Sequence, residues 1–148
     1  MAETKYGKYI ITELKPKINP APWTKMLNPE EISQVLYLDN EVVEGAFYTE
    51  CAWFWPRSQA DLAKDDVDVE PHKHDDDEVL AVFGTDTKNP HDLGGDLEVY
   101  LDGERHFINK SCLIFIPKGL MHGPIRFTRI ERPVFHFAVH TGKMYYSG

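Results

Sequence analysis

The segment DLEVYLDGERHFI, residues 96–108, constrains the fold most, because its pattern is that of a β-hairpin. Apolar and polar residues alternate on both sides of Asp102-Gly103, a dipeptide typical of two-residue type I′ turns. Three further segments carry strand signals: residues 43–56 are rich in aromatic side chains, residues 111–117 suit a fully buried strand, and residues 132–140 alternate. Many short strands separated by turns predict an all-β sandwich or barrel.

The first 43 residues have a different character. Asn28 as an N-cap, Pro29 at the first helical position and two glutamates in the first turn predict one short helix. An extended arm, with a strand over residues 9–14, is expected before it, because prolines recur there at Pro16, Pro20 and Pro22. We therefore expect a single domain, with the arm and short helix in residues 1–43 and a β-barrel core in residues 44–148.

Composition excludes several classes of partner. The length of 148 residues fits one domain with one core. A net charge of −8 argues against nucleic acid, because phosphate would be repelled. No apolar run approaches the ~18 residues that span a bilayer, so we expect no membrane partner. The first residues lack the pattern of a secretory signal, and Cys51 and Cys112 are too few for a disulfide framework. Free thiols in a reducing cytoplasm are expected.

The segment PHKHDDDEVLAVFG, residues 71–84, places two histidines and four acids at the head of an apparent strand. Because alternate side chains of a strand share a face, His72 and His74 point the same way, and both Asp76 and Glu78 keep that phase. Far downstream, a Pro-x-Gly turn precedes His122. Three imidazoles and a carboxylate suit borderline divalent metals. The alternative is a solvated acidic turn with an unrelated histidine, and the combined spacing, not the histidine pair alone, favours the metal.

The two spacings resemble the two motifs of the cupin superfamily, as found in small single-domain RmlC-like members. The first motif is His72-x-His74-x-x-x-Glu78, ending at Gly84, and the second is Pro117-x-Gly119-x-x-His122. The resemblance implies a double-stranded β-helix, which is a jelly-roll β-barrel. It also implies that the metal ligands are His72, His74, Glu78 and His122, and that Asp76 is a bystander in ligation.

The chain departs from the pattern of this superfamily at turn positions. The glycines that usually open the two motifs are replaced by Asp66 and Ser111, and Gly84 comes one residue early. The asparagine often found four residues after the last histidine is Arg126. None of these departures touches a ligand. Residues 85–95 between the motifs are expected to form an inserted loop.

Four protein ligands leave about two positions open on a metal that prefers octahedral coordination. We therefore expect one divalent transition metal (Fe, Mn, Ni, Zn or Cu) at a site open to a small-molecule ligand or substrate. The predicted function is that of a small metal-dependent enzyme, of dioxygenase, isomerase or lyase type, acting on a small oxygenated organic compound. The alternatives are a non-catalytic metal- or ligand-binding cupin, a metal kept only for stability, and an interaction protein.

His136 is the candidate catalytic residue outside the ligand set. It shares a strand face with Val134 and Ala138, so it is either an inward group that shuttles protons or a satisfied histidine at the barrel surface. A homodimer is also expected, because small cupins commonly pair their barrels. The proline-rich arm and the segment CAWFWP, residues 51–56, offer apolar surface for this.

Overall fold

The computed structural model describes residues 4–15, 28–64 and 70–143, and strands dominate them. A short 3-10 turn, Gly7–Tyr9, comes first. One helix, α1 (Gln59–Ala63), follows the second strand. Within the described ranges no helix is long and apolar enough to span a bilayer. The eight strands are β1 (Ile32–Leu38), β2 (Thr49–Phe54), β3 (Glu78–Phe83), β4 (Asp92–Leu101), β5 (Glu104–Lys110), β6 (Cys112–Ile116), β7 (His122–Ile130) and β8 (Val134–His140).

The strands form two antiparallel sheets that enclose one core. The larger sheet has the order β1-β2-β8-β3-β6, and the smaller has the order β5-β4-β7. Leu80 and Val82 of β3 belong to the same buried cluster as Leu97 and Val99 of β4, and Leu62 of α1 joins it. Burying each such side chain stabilises the fold by about 1.5–3 kcal/mol. The all-β jelly roll expected from the sequence is thus confirmed.

The hairpin between β4 and β5 is also confirmed. Leu101 pairs with Glu104 across the turn, and both central residues have positive φ, 48° at Asp102 and 80° at Gly103. Two positive φ values define a type I′ turn, whose twist matches that of the flanking strands.

The short helix predicted after Asn28 is wrong. Residues 28–31 form a single turn, in which Glu30 N donates to Asn28 Oδ1 (3.1 Å) and Ile32 N donates to the Asn28 carbonyl (2.8 Å). The chain then enters β1, which pairs with β2 and buries Ile32 and Tyr37. Pairing and burial outweigh the weak local helix signal. Among the residues that the structure describes, the α-helix is α1, where the Ser58 hydroxyl accepts from Asp61 N at 3.1 Å.

The strand predicted over residues 9–14 is wrong as well. Tyr9 ends the 3-10 turn, and Ile10 and Leu14 are 71% and 47% exposed, so in this segment no sheet covers their apolar side chains. The prolines Pro16, Pro20 and Pro22, on which the arm was predicted, lie outside the described residues, as does Asp66.

Strand β6 is not fully buried as expected. Leu113 and Phe115 are 63% and 61% exposed, because β6 is an edge strand that pairs with β3 alone and has only one face on the core. The inserted loop is shorter than predicted, since β4 already begins at Asp92. Cys51 and Cys112 are free thiols, as expected, and a cytoplasmic location stays a prediction.

Candidate metal centre

The two histidine motifs are joined through their backbones. His72 N donates to the His122 carbonyl (2.8 Å), and His122 N donates to the His72 carbonyl (2.9 Å). Gly119 N donates to the His74 carbonyl (2.9 Å), and Gly119 has a φ of +81°, which lets the Pro-x-Gly turn bend back to deliver His122. Residues distant in sequence are therefore held side by side before any side chain is considered.

Three imidazoles converge at this bridge. The ring centroids of His72 and His122 lie 4.3 Å apart, those of His72 and His74 4.7 Å, and those of His74 and His122 5.1 Å. One nitrogen from each ring lies within 4.8 Å of the others. This is the histidine cluster that the sequence predicted, and it is compact enough to share one metal ion.

Backbone carbonyls fix the tautomers of two of these rings. His72 Nδ1 lies 2.7 Å from the Glu70 carbonyl, and His122 Nδ1 lies 2.9 Å from the Leu120 carbonyl. A carbonyl only accepts, so each Nδ1 carries the proton and each Nε2 of a neutral ring carries a lone pair. An Nδ1–H held by a carbonyl is the usual outer support of a metal-ligating histidine.

Glu78 supplies the carboxylate beside the histidines. It begins β3, is 6% exposed, and its Oε1 lies 3.3 Å from His122 Nε2. Both atoms are buried, and neither has a hydrogen-bond partner among the residues that the structure describes. Two acceptor atoms facing each other in the interior are costly unless a cation lies between them. The residues present therefore fit a divalent metal.

A fourth histidine, His140, adjoins the cluster and was missed by the sequence reasoning. Glu78 and His140 are register partners on β3 and β8, and His140 Nε2 lies 2.9 Å from Glu78 Oε2. His140 Nδ1 lies 3.2 Å from Asp76 Oδ1, and Asp76 Oδ2 accepts from Gly142 N (3.1 Å). The sequence carries only a partial signal for His140, which has the same phase on β8 as His136, because the register that brings it to Glu78 is not a local feature.

The aspartates that follow His74 contact two neighbouring loops of the site. Asp77 Oδ1 accepts from Lys118 N (2.8 Å), and Asp77 N donates to the Thr141 hydroxyl (3.1 Å). Asp75, by contrast, makes an exposed ion pair with Lys118 Nζ at 3.2 Å. Asp76 and Asp77 thus tie the two motifs to the end of β8, and Asp75 has the solvated role that such runs commonly have.

The environment shifts three pKa values at the cluster. Burial lowers the pKa of His72 and so favours the neutral ring that ligation requires. Burial works to raise the pKa of Glu78, but the hydrogen bond and the charge of His140 outweigh this and hold that pKa below its ordinary value. Burial opposes the charged form of His140, yet Glu78 and Asp76 raise its pKa.

His136 points into the barrel, which decides between the two positions considered for it. Its side chain is buried, it pairs across the sheet with Val82, and its Nδ1 donates to the Ala81 carbonyl at 2.9 Å. Burial lowers the pKa of His136. The neutral ring therefore presents Nε2 as its basic atom.

A cavity of about 110 Å³ connects these groups. Its lining includes the histidine cluster and Glu78, together with apolar side chains such as Phe54, Leu97 and Phe127. Arg57 and Arg126 also line it. The space lies beside the candidate donors and suits a small-molecule ligand.

No protein-family model matches this chain, and no curated protein matches it. Solved structures do. A recombinant oxalate oxidase in complex with glycolate aligns with a TM-score of 0.53 and 16% identity, over 95% of this chain and 63% of that one. An oxalate oxidase with the substrate analogue glycolate gives 0.50 and 17%, over 88% and 62%. An RmlC-like cupin from Shewanella frigidimarina gives 0.40 and 13%, over 66% and 68%.

These structural similarities are similarities of fold. The chain spans somewhat under two thirds of the length of the oxalate oxidase chains it matches. At 16–17% identity the comparison shows a shared architecture and assigns no reaction.

Proposed function

We propose that this chain, which has the cupin fold, binds one divalent transition metal through His72, His74, Glu78 and His122 and uses it to convert a small oxygenated organic compound. The observation that carries the proposal is the buried pair of facing acceptors, Glu78 Oε1 and His122 Nε2, at 3.3 Å. Nitrogen and oxygen donors of this kind suit Fe, Mn, Ni, Zn or Cu.

The cavity supports catalysis over a purely structural metal. A structural zinc site closes its coordination and favours cysteine, whereas here the donors border a cavity and both cysteines lie outside its lining. When bound, a divalent metal would supply Lewis-acid polarisation of a substrate oxygen. Much of the cavity wall is apolar, and the positive charge of Arg57 and Arg126 in the lining favours a ligand rich in oxygen, although Arg57 also pairs with Glu31 at 3.2 Å.

His136 is proposed as the proton-transfer residue. It lines the same cavity, its Nδ1–H is held by the Ala81 carbonyl, and its lowered pKa keeps Nε2 free of a proton near neutral pH. A base placed in this way typically contributes about 10²–10⁴-fold in rate.

The experiment that tests this function is a turnover screen with the metal-loaded protein. The panel contains small hydroxy- and keto-acids, sugars and phenolic diols. Glycolate, which the oxalate oxidase structures contain, is included. We expect turnover in the wild type that is lost in Glu78→Ala and falls about 10²-fold or more in His136→Gln. Oxygen uptake with incorporation of oxygen into the product would indicate a dioxygenase, and conversion without oxygen an isomerase or lyase.

Tight ligand binding without turnover across this panel, under several metals, would contradict the enzyme proposal. It would support the alternative, a cupin that binds a metal or small ligand without catalysis. In that case His136→Gln should leave ligand affinity nearly unchanged.

We further propose that the protein is a homodimer. The larger sheet exposes apolar side chains on its outer face, among them Leu113 and Phe115 on the edge strand β6 and Phe83 on β3 beside it. Contiguous apolar surface of this kind marks interaction sites, and pairing of identical chains is the commonest way to cover it.

A further inference from the structure

We propose that His140 is a positioning residue for Glu78: it holds Oε2 and thereby leaves Oε1 as the single oxygen that Glu78 offers to the metal. This inference rests on the proposed metal site. It adds a fifth residue to the metal site and a role for Asp76, neither of which follows from the two histidine motifs.

The first step of the argument is the division of the two oxygens of Glu78. Oε2 lies 2.9 Å from His140 Nε2, whereas Oε1 lies 3.3 Å from His122 Nε2 and has no hydrogen-bond partner within the described ranges. One oxygen is therefore occupied by a ring outside the histidine cluster, and the other faces that cluster. A carboxylate restrained in this manner binds through one oxygen and cannot rotate to bind through two.

The second step concerns what holds His140 itself. Its Nδ1 lies 3.2 Å from Asp76 Oδ1 and its Nε2 lies 2.9 Å from Glu78 Oε2, and because a carboxylate only accepts, both nitrogens carry a proton. Asp76 is fixed in turn by Gly142 N, which donates to Oδ2 at 3.1 Å. The ring also packs edge-on against Tyr48, with centroids 4.9 Å apart. The His140 ring is thus fixed at both nitrogens and on one face.

The third step weighs another use of the same groups. Ligand atoms of His74, Asp76 and His140 also lie within 4.8 Å of one another, so they resemble a second metal site. However, both oxygens of Asp76 and both nitrogens of His140 already have partners in the chain Gly142–Asp76–His140–Glu78. A side chain whose polar atoms all have hydrogen-bond partners within the protein is better suited to orienting a metal ligand than to binding the metal itself. Metal-ligating carboxylates are commonly supported by such outer hydrogen bonds.

The test measures metal affinity and the visible spectrum of the Co²⁺-loaded protein in wild type, His140→Ala, His140→Gln and Asp76→Asn. We expect His140→Ala to weaken metal binding about 10–100-fold and to change the Co²⁺ spectrum, because Glu78 is then free to change its mode of binding. His140→Gln should recover part of the affinity, since its amide donates toward Oε2.

A double variant tests whether Asp76 acts through His140. Combining Asp76→Asn with His140→Gln should weaken metal binding no further than His140→Gln alone, because both changes disable one chain of contacts. The matched control is His106→Gln, which alters a histidine of β5 whose Nε2 pairs with the Glu104 carboxylate at 2.8 Å, outside the residues of the cavity lining. It should leave the affinity and the Co²⁺ spectrum unchanged.

The outcomes separate this inference from the proposed function. If the wild type binds no metal, both fail. If it binds one equivalent and His140→Ala and His140→Gln lower only the melting temperature of the metal-free protein, His140 is merely structural and the positioning role is overturned. If the wild type binds two equivalents and the His140 variants lose one, His140 is a ligand of a second site, which also overturns it. If His140→Ala does not fold, the metal affinity and the Co²⁺ spectrum of Asp76→Asn and His140→Gln test the positioning role instead.

Discussion

Glu78 Oε1 and His122 Nε2 face each other 3.3 Å apart inside the barrel, and the His122 proton is held on the opposite nitrogen by the Leu120 carbonyl. The donors of the proposed site are therefore neutral imidazoles and one carboxylate. This arrangement sets how the site responds to acid, to substitution and to chelation.

Metal retention should depend on pH. Ligation requires neutral imidazoles, so protons compete with the metal as the pH falls. Because burial lowers the pKa of His72 below its ordinary value of 6.5, we expect full retention near pH 7.5 and a midpoint of loss below about pH 6.5. Dialysis over a pH series followed by elemental analysis measures this, with circular dichroism of the same samples reporting the fold. Retention that stays constant down to pH 4 in folded protein would contradict the ligand set.

In the metal-free protein, Glu78 and His140 should together contribute most to the free energy of unfolding at mildly acidic pH. The lowered pKa of Glu78 stabilises the fold above about pH 4.5, and this contribution is lost as the pH falls through the folded-state value. The raised pKa of His140 stabilises below about pH 6.5, and this is lost as the pH rises through its folded-state value. Urea unfolding of chelator-treated wild type and Glu78→Gln from pH 4 to 9 measures it. Parallel profiles for the two proteins would refute the coupling.

Two glycines should differ in their tolerance of a methyl group. A Cβ on Gly84 would overlap the Asp92 carbonyl oxygen, whereas a Cβ on Gly103 would meet no atom within 4 Å. Gly84→Ala is therefore expected to cost about 3 kcal/mol, the upper end for overpacking. Gly103→Ala should cost about 1–2 kcal/mol, from its positive φ alone. Urea unfolding at neutral pH measures the loss of stability in both variants. A larger loss in Gly103→Ala than in Gly84→Ala would contradict the prediction, because it would show that the backbone around Gly84 shifts to make room for the methyl group.

The outer face of the larger sheet should carry the dimer contact. Phe115→Glu places a charge on the 61% exposed apolar position of edge strand β6 and should convert a dimer into a monomer with the fold intact. The control is Phe107→Glu, which alters a 66% exposed aromatic of β5 in the other sheet. Sedimentation at micromolar concentration distinguishes the two states. A wild type that sediments as a monomer near 17.1 kDa would remove the homodimer proposal.

Much of the barrel could be read from local pattern. The Asp102-Gly103 turn and the alternation along β8 are short-range signals, and both are realised. The helix predicted after Asn28 failed because the fate of residues 32–38 depends on pairing with β2, which no local window contains. Likewise, the burial expected for β6 failed because a strand's place at a sheet edge is a property of the topology.

The candidate site, like the fold, could be predicted only in part from the sequence. Spacing and phase predicted His72, His74, His122 and Glu78 as candidates, and the structure brings the three histidines together with Glu78 beside His122. His140 was missed because its relevance comes from its register with Glu78 across β3 and β8, which the sequence does not express. The role of Asp76 follows from the same register and could not be assigned without it.

The most direct test of the central claim is the metal content of the purified protein. We expect one equivalent of a divalent transition metal per chain in the wild type and none in the His72→Ala/His122→Ala double variant, because both backbone-oriented Nε2 donors are then lost. His106→Ala is the control, since His106 lies on β5 and pairs with Glu104 at 2.8 Å, and it should keep its full equivalent. A folded double variant that still holds one equivalent of metal per chain would contradict the account.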